Sequence, residues 1–287
     1  MTDKNMPIGI FDSGVGGLTV LCALQKALPQ EQFLYLGDTA RLPYGTKSPD
    51  TVKNYAVNAC ETLVARGVKM LVVACNTASA VALEALQHRF SPLPVIGVIA
   101  SGAALSLTVP RTGPIVVLAT EGTTKGHAYQ QALQALAPER QVIEWPCSLL
   151  VALAEEGWCD GALVEQIIAR ILSPLFAVLD REPACFVLGC THFPVLKSAI
   201  QKVIGQHIPI VDPAHAVAEM VAAHLSEQNL LSTAQSSMTH FMATDGIERF
   251  ARVAPIFLNY ALSAQEVELV TVVFQHLAAS QSISGNI

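Results

Sequence analysis

Two stretches of the chain are written alike. Val68-Lys69-Met70-Leu71-Val72-Val73-Ala74-Cys75-Asn76-Thr77 and Ala184-Cys185-Phe186-Val187-Leu188-Gly189-Cys190-Thr191-His192 each run from apolar residues through a small residue and a cysteine into polar residues. A continuous apolar run that ends so abruptly suits a buried parallel strand whose carboxyl end opens into a cleft. The same spacing recurs elsewhere: Ile8 to Ile115 is 107 residues, Phe33 to Val142 is 109, Cys75 to Cys190 is 115 and Val95 to Ile208 is 113. Offsets this steady imply an internal duplication. The expected fold is therefore α/β, with two pseudo-symmetric α/β domains whose mostly parallel sheets face a central cleft. Residues 1–98 and 212–287 are expected to form a discontinuous first domain and residues 99–211 the second.

The rest of the chain alternates in the same way. Residues 7–11 read as a strand, 12–17 as a glycine loop and 18–28 as a helix. The loop lacks a Gly-Lys-Ser/Thr ending, and Thr19 stands where a dinucleotide fingerprint needs its third glycine, so nucleotide binding is not expected. What remains is a helix start suited to a carboxylate, with Asp12 and Ser13 at its mouth. Ser48-Pro49 opens a helix that stops at Gly67. Helices are expected over 77–90, 126–137, 149–156, 161–179 (bent at Pro174), 194–204 and 214–225. Residues 226–237 read as a loop. A strand near 240–245, a helix over 246–257 and a strand over 267–272 would extend the edge of the first domain, and 278–287 would be a frayed tail.

Composition narrows the function. With 287 residues, 52% of them hydrophobic, the chain can build one large core or two ordinary ones. A net charge of −6 without any Lys or Arg run argues against nucleic acid and membrane partners and for a small-molecule ligand. No export signal is expected in the first seven residues, and no apolar stretch reaches spanning length. Seven cysteines with no C-x-x-C pair argue against a disulfide framework and for a reducing cytoplasm. Cys22, Cys60, Cys147, Cys159 and Cys185 read as structural, whereas Cys75 and Cys190 sit in matched, polar, partly open contexts.

Four blocks in order, Phe11-Asp12-Ser13-Gly14-Val15-Gly16-Gly17-Leu18, Gly37-Asp38-Thr39-Ala40-Arg41-Leu42-Pro43-Tyr44-Gly45, Ala74-Cys75-Asn76-Thr77-Ala78 and Gly189-Cys190-Thr191-His192-Phe193-Pro194, resemble bacterial glutamate racemase. The resemblance runs from Pro7 to about Leu225 and more weakly to Val272. Aspartate racemases are similar around the cysteines but typically carry Glu at the position of His192. The resemblance implies a cytoplasmic, cofactor-independent isomerase with no bound metal that interconverts L- and D-glutamate and supplies D-glutamate for peptidoglycan and cell shape. It also implies an acidic helper in the second domain, Glu155 or Glu156; a proline common upstream in relatives is Ala152 here. A homodimer and a cell-wall-precursor activator stay open, since the relatives that respond to such a precursor typically have a longer amino-terminal extension.

The chemistry can be read from the residues themselves. Inverting an α-carbon takes a proton from one face and returns one to the other, and two facing thiols, each thiolate in one direction and thiol in the other, can do this. An unshifted thiol, with a pKa near ~8.5, is only a few per cent ionised at neutral pH, so each needs local activation. Asp12 beside Cys75 and His192 beside Cys190 are the candidates, against the plainer readings of a helix cap and a loop hydrogen-bonder. Carbanion stabilisation would fall to the hydroxyls of Ser13, Thr77, Thr120, Thr123 and Thr191, the Asn76 amide and the backbone of the Pro43-Tyr44-Gly45 loop. By resemblance these groups hold the amino and carboxylate groups of glutamate, with Cys75 acting on the D and Cys190 on the L enantiomer. Two other classes remain: a Cys75/Cys190/His192 zinc site with an open position, and a non-catalytic two-domain binder. Lys125 is the one lysine whose spacing leaves room for a pyridoxal Schiff base.

Overall fold

A computed structural model describes residues 3–233 and 238–272. The first half reads β1 (Ile8–Asp12), α1 (Leu18–Ala27), β2 (Phe33–Gly37), α2 (Pro49–Ala65), β3 (Met70–Val73), α3 (Asn76–Phe90), β4 (Val95–Gly97) and α4 (Ile99–Leu107). The second half continues with β5 (Ile115–Ala119), α5 (Glu121–Thr124), α6 (Ala128–Leu136), β6 (Val142–Pro146), α7 (Leu149–Glu155), α8 (Ala162–Val178), β7 (Cys185–Gly189), α9 (Lys197–Ile204), β8 (Ile210–Val211) and α10 (Pro213–Glu227). The chain closes with β9 (Thr239–Ala243), α11 (Ile247–Val253), α12 (Pro255–Leu258) and β10 (Val267–Leu269).

Two sheets result, ordered β10-β9-β2-β1-β3-β4 and β6-β5-β7-β8, and every pairing among the described residues is parallel. The duplication is visible in the order itself, because β2-β1-β3-β4 and β6-β5-β7-β8 are the same four-strand pattern. Register extends the match. Ile8 pairs with Phe33 and Met70, and Ile115 with Val142 and Cys185, so β3 and β7 are 115 residues apart, like the two cysteines. Leu71 pairs with Val95 and Phe186 with Ile210, so the counterpart of Val95 is Ile210, also 115 on, and not Ile208. The central strands β1, β3, β5 and β7 are buried throughout, as strands covered on both faces must be.

In each sheet the strand order reverses beside the first strand of the unit, between β1 and β3 and between β5 and β7. Side chains just past the carboxyl ends of such strands face an open crevice. Ser13 follows β1 and Cys75 lies just past β3; Thr120 follows β5 and Cys190 follows β7.

Several boundaries differ from the sequence reading. Ser48 does cap α2, accepting the Thr51 N–H, with Pro49 in the first turn. The third helix begins at Asn76 and takes Cys75 itself as its N-cap. The helix expected from 126 starts at Ala128, as α6 after His127, which adopts a left-handed backbone, and the loop expected over 120–124 holds the short helix α5. Residues 193–196 form a 3-10 turn ahead of α9, residues 246–257 divide at Pro255, and the last strand ends at Leu269. Pro174 lies within an uninterrupted α8. Helix α4 was not foreseen: Ile99-Ala100-Ser101-Gly102-Ala103-Ala104 has no polar stripe to mark it. Gly102 lets α10 approach there, since a Cβ would sit 2.9 Å from the Pro213 ring. Part of the expected 226–237 loop and the 278–287 tail lie outside the described residues.

Candidate active site

One cavity, with about 400 Å³ of free space, is bordered by both crevices. Its wall brings together Ser13, Pro43, Tyr44, Gly45, Cys75, Asn76 and Thr77 from the first half with Thr120, Cys190, Thr191 and His192 from the second. The sequence reading had named all of these. It had not named Gly14, Leu42 and Val151, which also line the wall, and it had left Glu155 undecided against Glu156. Two expected residues lie behind the wall. Asp12 is fully buried beneath it, and Thr123 is buried behind Thr77 and Thr120.

Cys75 caps α3 with its sulfur, which accepts the Ala78 N–H at 3.4 Å. Burial and then the charge of Asp12 push its thiol up to about 12, against the Ser13 hydroxyl and the Ala78 N–H. Asp12 is itself raised by burial, against the opposing influence of His192 and of the Gly17 and Gly14 amides. Its Oδ2 accepts the Gly14 N–H at 2.9 Å, while Oδ1 has no hydrogen-bond partner. The group that the glycine loop holds is thus the protein's own Asp12 carboxyl. The next amides, of Leu18, Thr19 and Val20, bond back to Val15, Gly16 and Gly17 carbonyls, so this helix start does not await a ligand carboxylate as the sequence suggested.

Cys190 is served differently. Burial works against the charge of His192, but its contacts with Cys190 and Glu155 and the charge of Asp12 raise it to about 10, so it is an imidazolium at neutral pH. Nδ1–H faces Cys190 Sγ at 3.8 Å, and Nε2–H donates to Glu155 Oε1 at 3.1 Å. A cation so placed stabilises negative charge on that sulfur. Glu155 overcomes its own burial and is held below the usual carboxylate range by His192 and Arg249. Glu156, 60% exposed, touches Arg249 alone of these groups. Both imidazole nitrogens are engaged, and the described residues contain no group of three His, Cys, Asp or Glu side chains that could hold a metal ion. Lys125 is exposed on the surface, paired with Glu121.

Hydroxyls close the far end. Thr77, Thr120 and Thr123 form a triangle with sides of 2.9, 3.2 and 3.0 Å across the two halves. Glycine is required at that seam, because a Cβ on Gly45 would meet Thr120 at 2.6 Å and one on Gly122 would meet the Gly45 carbonyl at 2.9 Å. The Tyr44 phenol turns away and donates to Asp38 Oδ2 at 2.6 Å. Tyr129, missed in the sequence because an apolar helix position was its plainest reading, is fully buried and donates to Asn76 Oδ1 at 2.8 Å.

The sequence matches the Asp/Glu/Hydantoin racemase family over residues 18–221. It is 48% identical to the glutamate racemase of Geobacter metallireducens over 255 residues, 88% of this chain and 92% of that one. Among solved structures it resembles Francisella tularensis glutamate racemase in complex with D-glutamate (TM-score 0.86, 36% identity, 94% of this chain and 98% of that one). It also resembles Escherichia coli glutamate racemase in complex with L-glutamate and the activator UDP-MurNAc-ala (TM-score 0.75, 30% identity, 93% and 99%). Parallel two-sheet fold, paired cysteines on one cavity and sequence agree: the chain belongs to the Asp/Glu/Hydantoin racemase family, among the glutamate racemases.

Proposed function

We propose that this chain interconverts L- and D-glutamate by transferring protons between two thiols, Cys75 and Cys190, without a cofactor. The observation that carries the reading is that both sulfurs line one cavity from opposite sheets, each with its own polar partners. In the L to D direction the Cys190 thiolate, paired with the His192 imidazolium, takes the α-proton, and the Cys75 thiol delivers one to the opposite face. Cys75, kept a thiol by burial and by the charge of Asp12, is in the state this direction asks of its acid. For D-glutamate the roles exchange: the proton first passes from Cys75 to Cys190, after which the Cys75 thiolate takes the α-proton and the Cys190 thiol delivers one. Asp12, behind Cys75, eases the first of these steps once protonated, because its negative charge is one of the forces holding the Cys75 proton on. The α-ammonium of the substrate does the same by bringing a positive charge beside them. Ser13, Asn76, Thr191 and the Tyr44-Gly45 backbone supply donors to the carboxylates, and Thr77, Thr120 and Thr123 open their triangle to receive one.

The same reading divides the chain into residues 1–98 with 212–287 and residues 99–211, supported by β9 and β10 joining the first sheet. It places the enzyme in the cytoplasm, supplying D-glutamate for peptidoglycan; among the described residues no helix is long and apolar enough to cross a membrane. The test is polarimetry of the purified protein with each enantiomer of glutamate, and of aspartate as control. Loss of optical rotation with both glutamates and not with aspartate is expected. Inactivity on glutamate, or equal turnover of leucine, would overturn the reading, since a site lined with polar groups disfavours ligands that leave them unpaired.

A further inference from the structure

The side chains around Cys190 extend beyond the cavity. Arg249, on α11 after β9 of the six-stranded sheet, donates from Nη2 to Glu155 Oε2 at 3.2 Å and to Glu156 Oε1 at 3.1 Å. Glu155 ends α7, which follows β6 of the other sheet, and its second oxygen holds His192. A chain Arg249–Glu155–His192–Cys190 therefore starts on an element of the first sheet and ends at a reacting sulfur of the second. Arg249 borders an outer hollow of about 550 Å³, together with Val15, Leu42, Asp245 and Phe250, and is not among the residues lining the substrate cavity. Glu155 and Leu42 border both spaces.

We infer that Arg249 is a positioning residue that fixes the Glu155 carboxylate, and through it the His192 ring beside Cys190, only while the two halves are closed on each other. The inference rests on the two-thiol reading. A Glu side chain has three rotatable bonds, so a carboxylate held at one oxygen only is free to turn; holding the second oxygen sets the plane that His192 meets. The energy is in orientation rather than stability. Arg249 is 46% exposed, and a pair so open to water contributes only about 0–1 kcal/mol to folding. Because the arginine arrives from the opposite half, separation of the halves releases Glu155. The imidazolium at Cys190 is then fully ordered only while the two halves are closed.

The experiment compares Arg249→Met, Arg249→Lys, Glu155→Gln and the double variant Arg249→Met/Glu155→Gln with the parent enzyme, measuring kcat and KM in both directions. Alkylation of Cys190 and Cys75 by iodoacetamide is measured without substrate. Arg249→Met is expected to lower kcat roughly tenfold with KM within about twofold, and to slow alkylation of Cys190 but not of Cys75. Arg249→Lys, which keeps a charged donor but loses the planar guanidinium, is expected to restore part of kcat. In the Glu155→Gln background the arginine substitution is expected to cost nothing further, since both then act through one broken link. Independent, multiplying losses, or a rise in KM alone, would overturn the inference. If Glu155→Gln and Cys190→Ser both kept parental activity, the two-thiol reading would fail. If those two lost activity while Arg249→Met did not, this inference alone would fail.

Discussion

The two halves share a strand order but not their acid–base groups. By register Asp12 ends β1 where Ala119 ends β5, an offset of 107, and Thr77 stands two residues past Cys75 where His192 stands two past Cys190. The first half thus contributes a buried carboxylate and the second a buried imidazolium. The elements after each cysteine differ as well. Cys75 caps a 15-residue helix and gains its dipole and first amides, whereas Cys190 leads only into a four-residue 3-10 turn, so a neighbouring cation does the work of the missing helix. Repetition of the fold delivers two sulfurs to one cavity, and divergence of the flanking residues gives one a carboxyl neighbour and the other a cationic one.

A thermodynamic constraint sharpens the comparison. Two enantiomers have equal free energy in water, so kcat/KM must be equal in both directions for the enzyme and for every variant. Asymmetry between the halves can appear only in kcat and KM taken separately, in half-reactions, or in the free thiols.

The largest effect is expected from the cysteines themselves. Cys75→Ser and Cys190→Ser should each lower racemisation in both directions by roughly a thousandfold, because a hydroxyl is a far weaker acid and each direction needs both residues. Elimination from an analogue with a leaving group at the β-carbon needs one base only. Each variant should therefore process one enantiomer of it, Cys190→Ser the D form and Cys75→Ser the L form. Product assays showing the same enantiomer lost in both variants would break the pairing of thiol with face.

Next come the helpers, whose signs are opposite. His192→Asn removes the cation beside Cys190 and should slow its alkylation at neutral pH by tenfold or more, about 1.4 kcal/mol, leaving Cys75 unchanged. Asp12→Asn removes a negative charge that holds the Cys75 proton on, so alkylation of Cys75 should quicken while racemisation falls. Mass spectrometry of the two labelled peptides reads both. A slower Cys75 in Asp12→Asn would mean that the carboxylate activates that thiol directly as a base.

The imidazolium also leaves a trace in stability. The folded ring titrates at about 10, above the ~6.5 of an unfolded histidine, so its contribution is complete below about pH 6.5 and is lost as pH rises to about 10. Cys75, raised to about 12, adds a similar loss only above the ~8.5 at which unfolded thiols ionise. Urea midpoints measured from pH 6.5 to 8.5 should therefore decline in the parent enzyme and decline less in His192→Asn.

Much of this was legible in the residues. The apolar runs ending at Cys75 and Cys190 carry their own burial and direction, and steady offsets carry the repeated order, because parallel strands with crossover helices leave little freedom in spacing. The groups gathered at the cavity wall were readable wherever they follow a strand end directly, as Ser13, Cys75, Thr120 and Cys190 do. What was hidden depends on long-range meeting. Whether Glu155 or Glu156 faces His192 is a matter of one helical step of about 100° at the end of α7. Arg249 reaches Glu155 from 94 residues away in sequence, with no motif to announce it. Helix α4 was invisible because its faces are all small or apolar, and its identity comes from α6 and α10 packing around it.

The smallest expected effect lies at the seam between the halves, where Tyr129 of α6 meets Asn76 of α3. The phenol is fully buried and donates to Asn76 Oδ1 at 2.8 Å. A carboxamide has one acceptor and one donor end, so a donor fixed on the oxygen turns the NH₂ group the other way. Asn76 lines the cavity, and the fixed orientation offers it a donor where a substrate carboxylate needs one. Tyr129→Phe keeps the ring that fills the space beside α4 and removes only the hydroxyl. The loss should be about 0.5–1.5 kcal/mol, the net worth of one neutral hydrogen bond. It should appear as a severalfold rise in KM for both enantiomers, because a freed amide must reorder before it can bind, with little change in kcat. Asn76→Ala should raise KM further, and the double variant should match Asn76→Ala alone. Additive losses in that cycle would mean that the tyrosine hydroxyl serves the closure of the two halves and not the orientation of the amide.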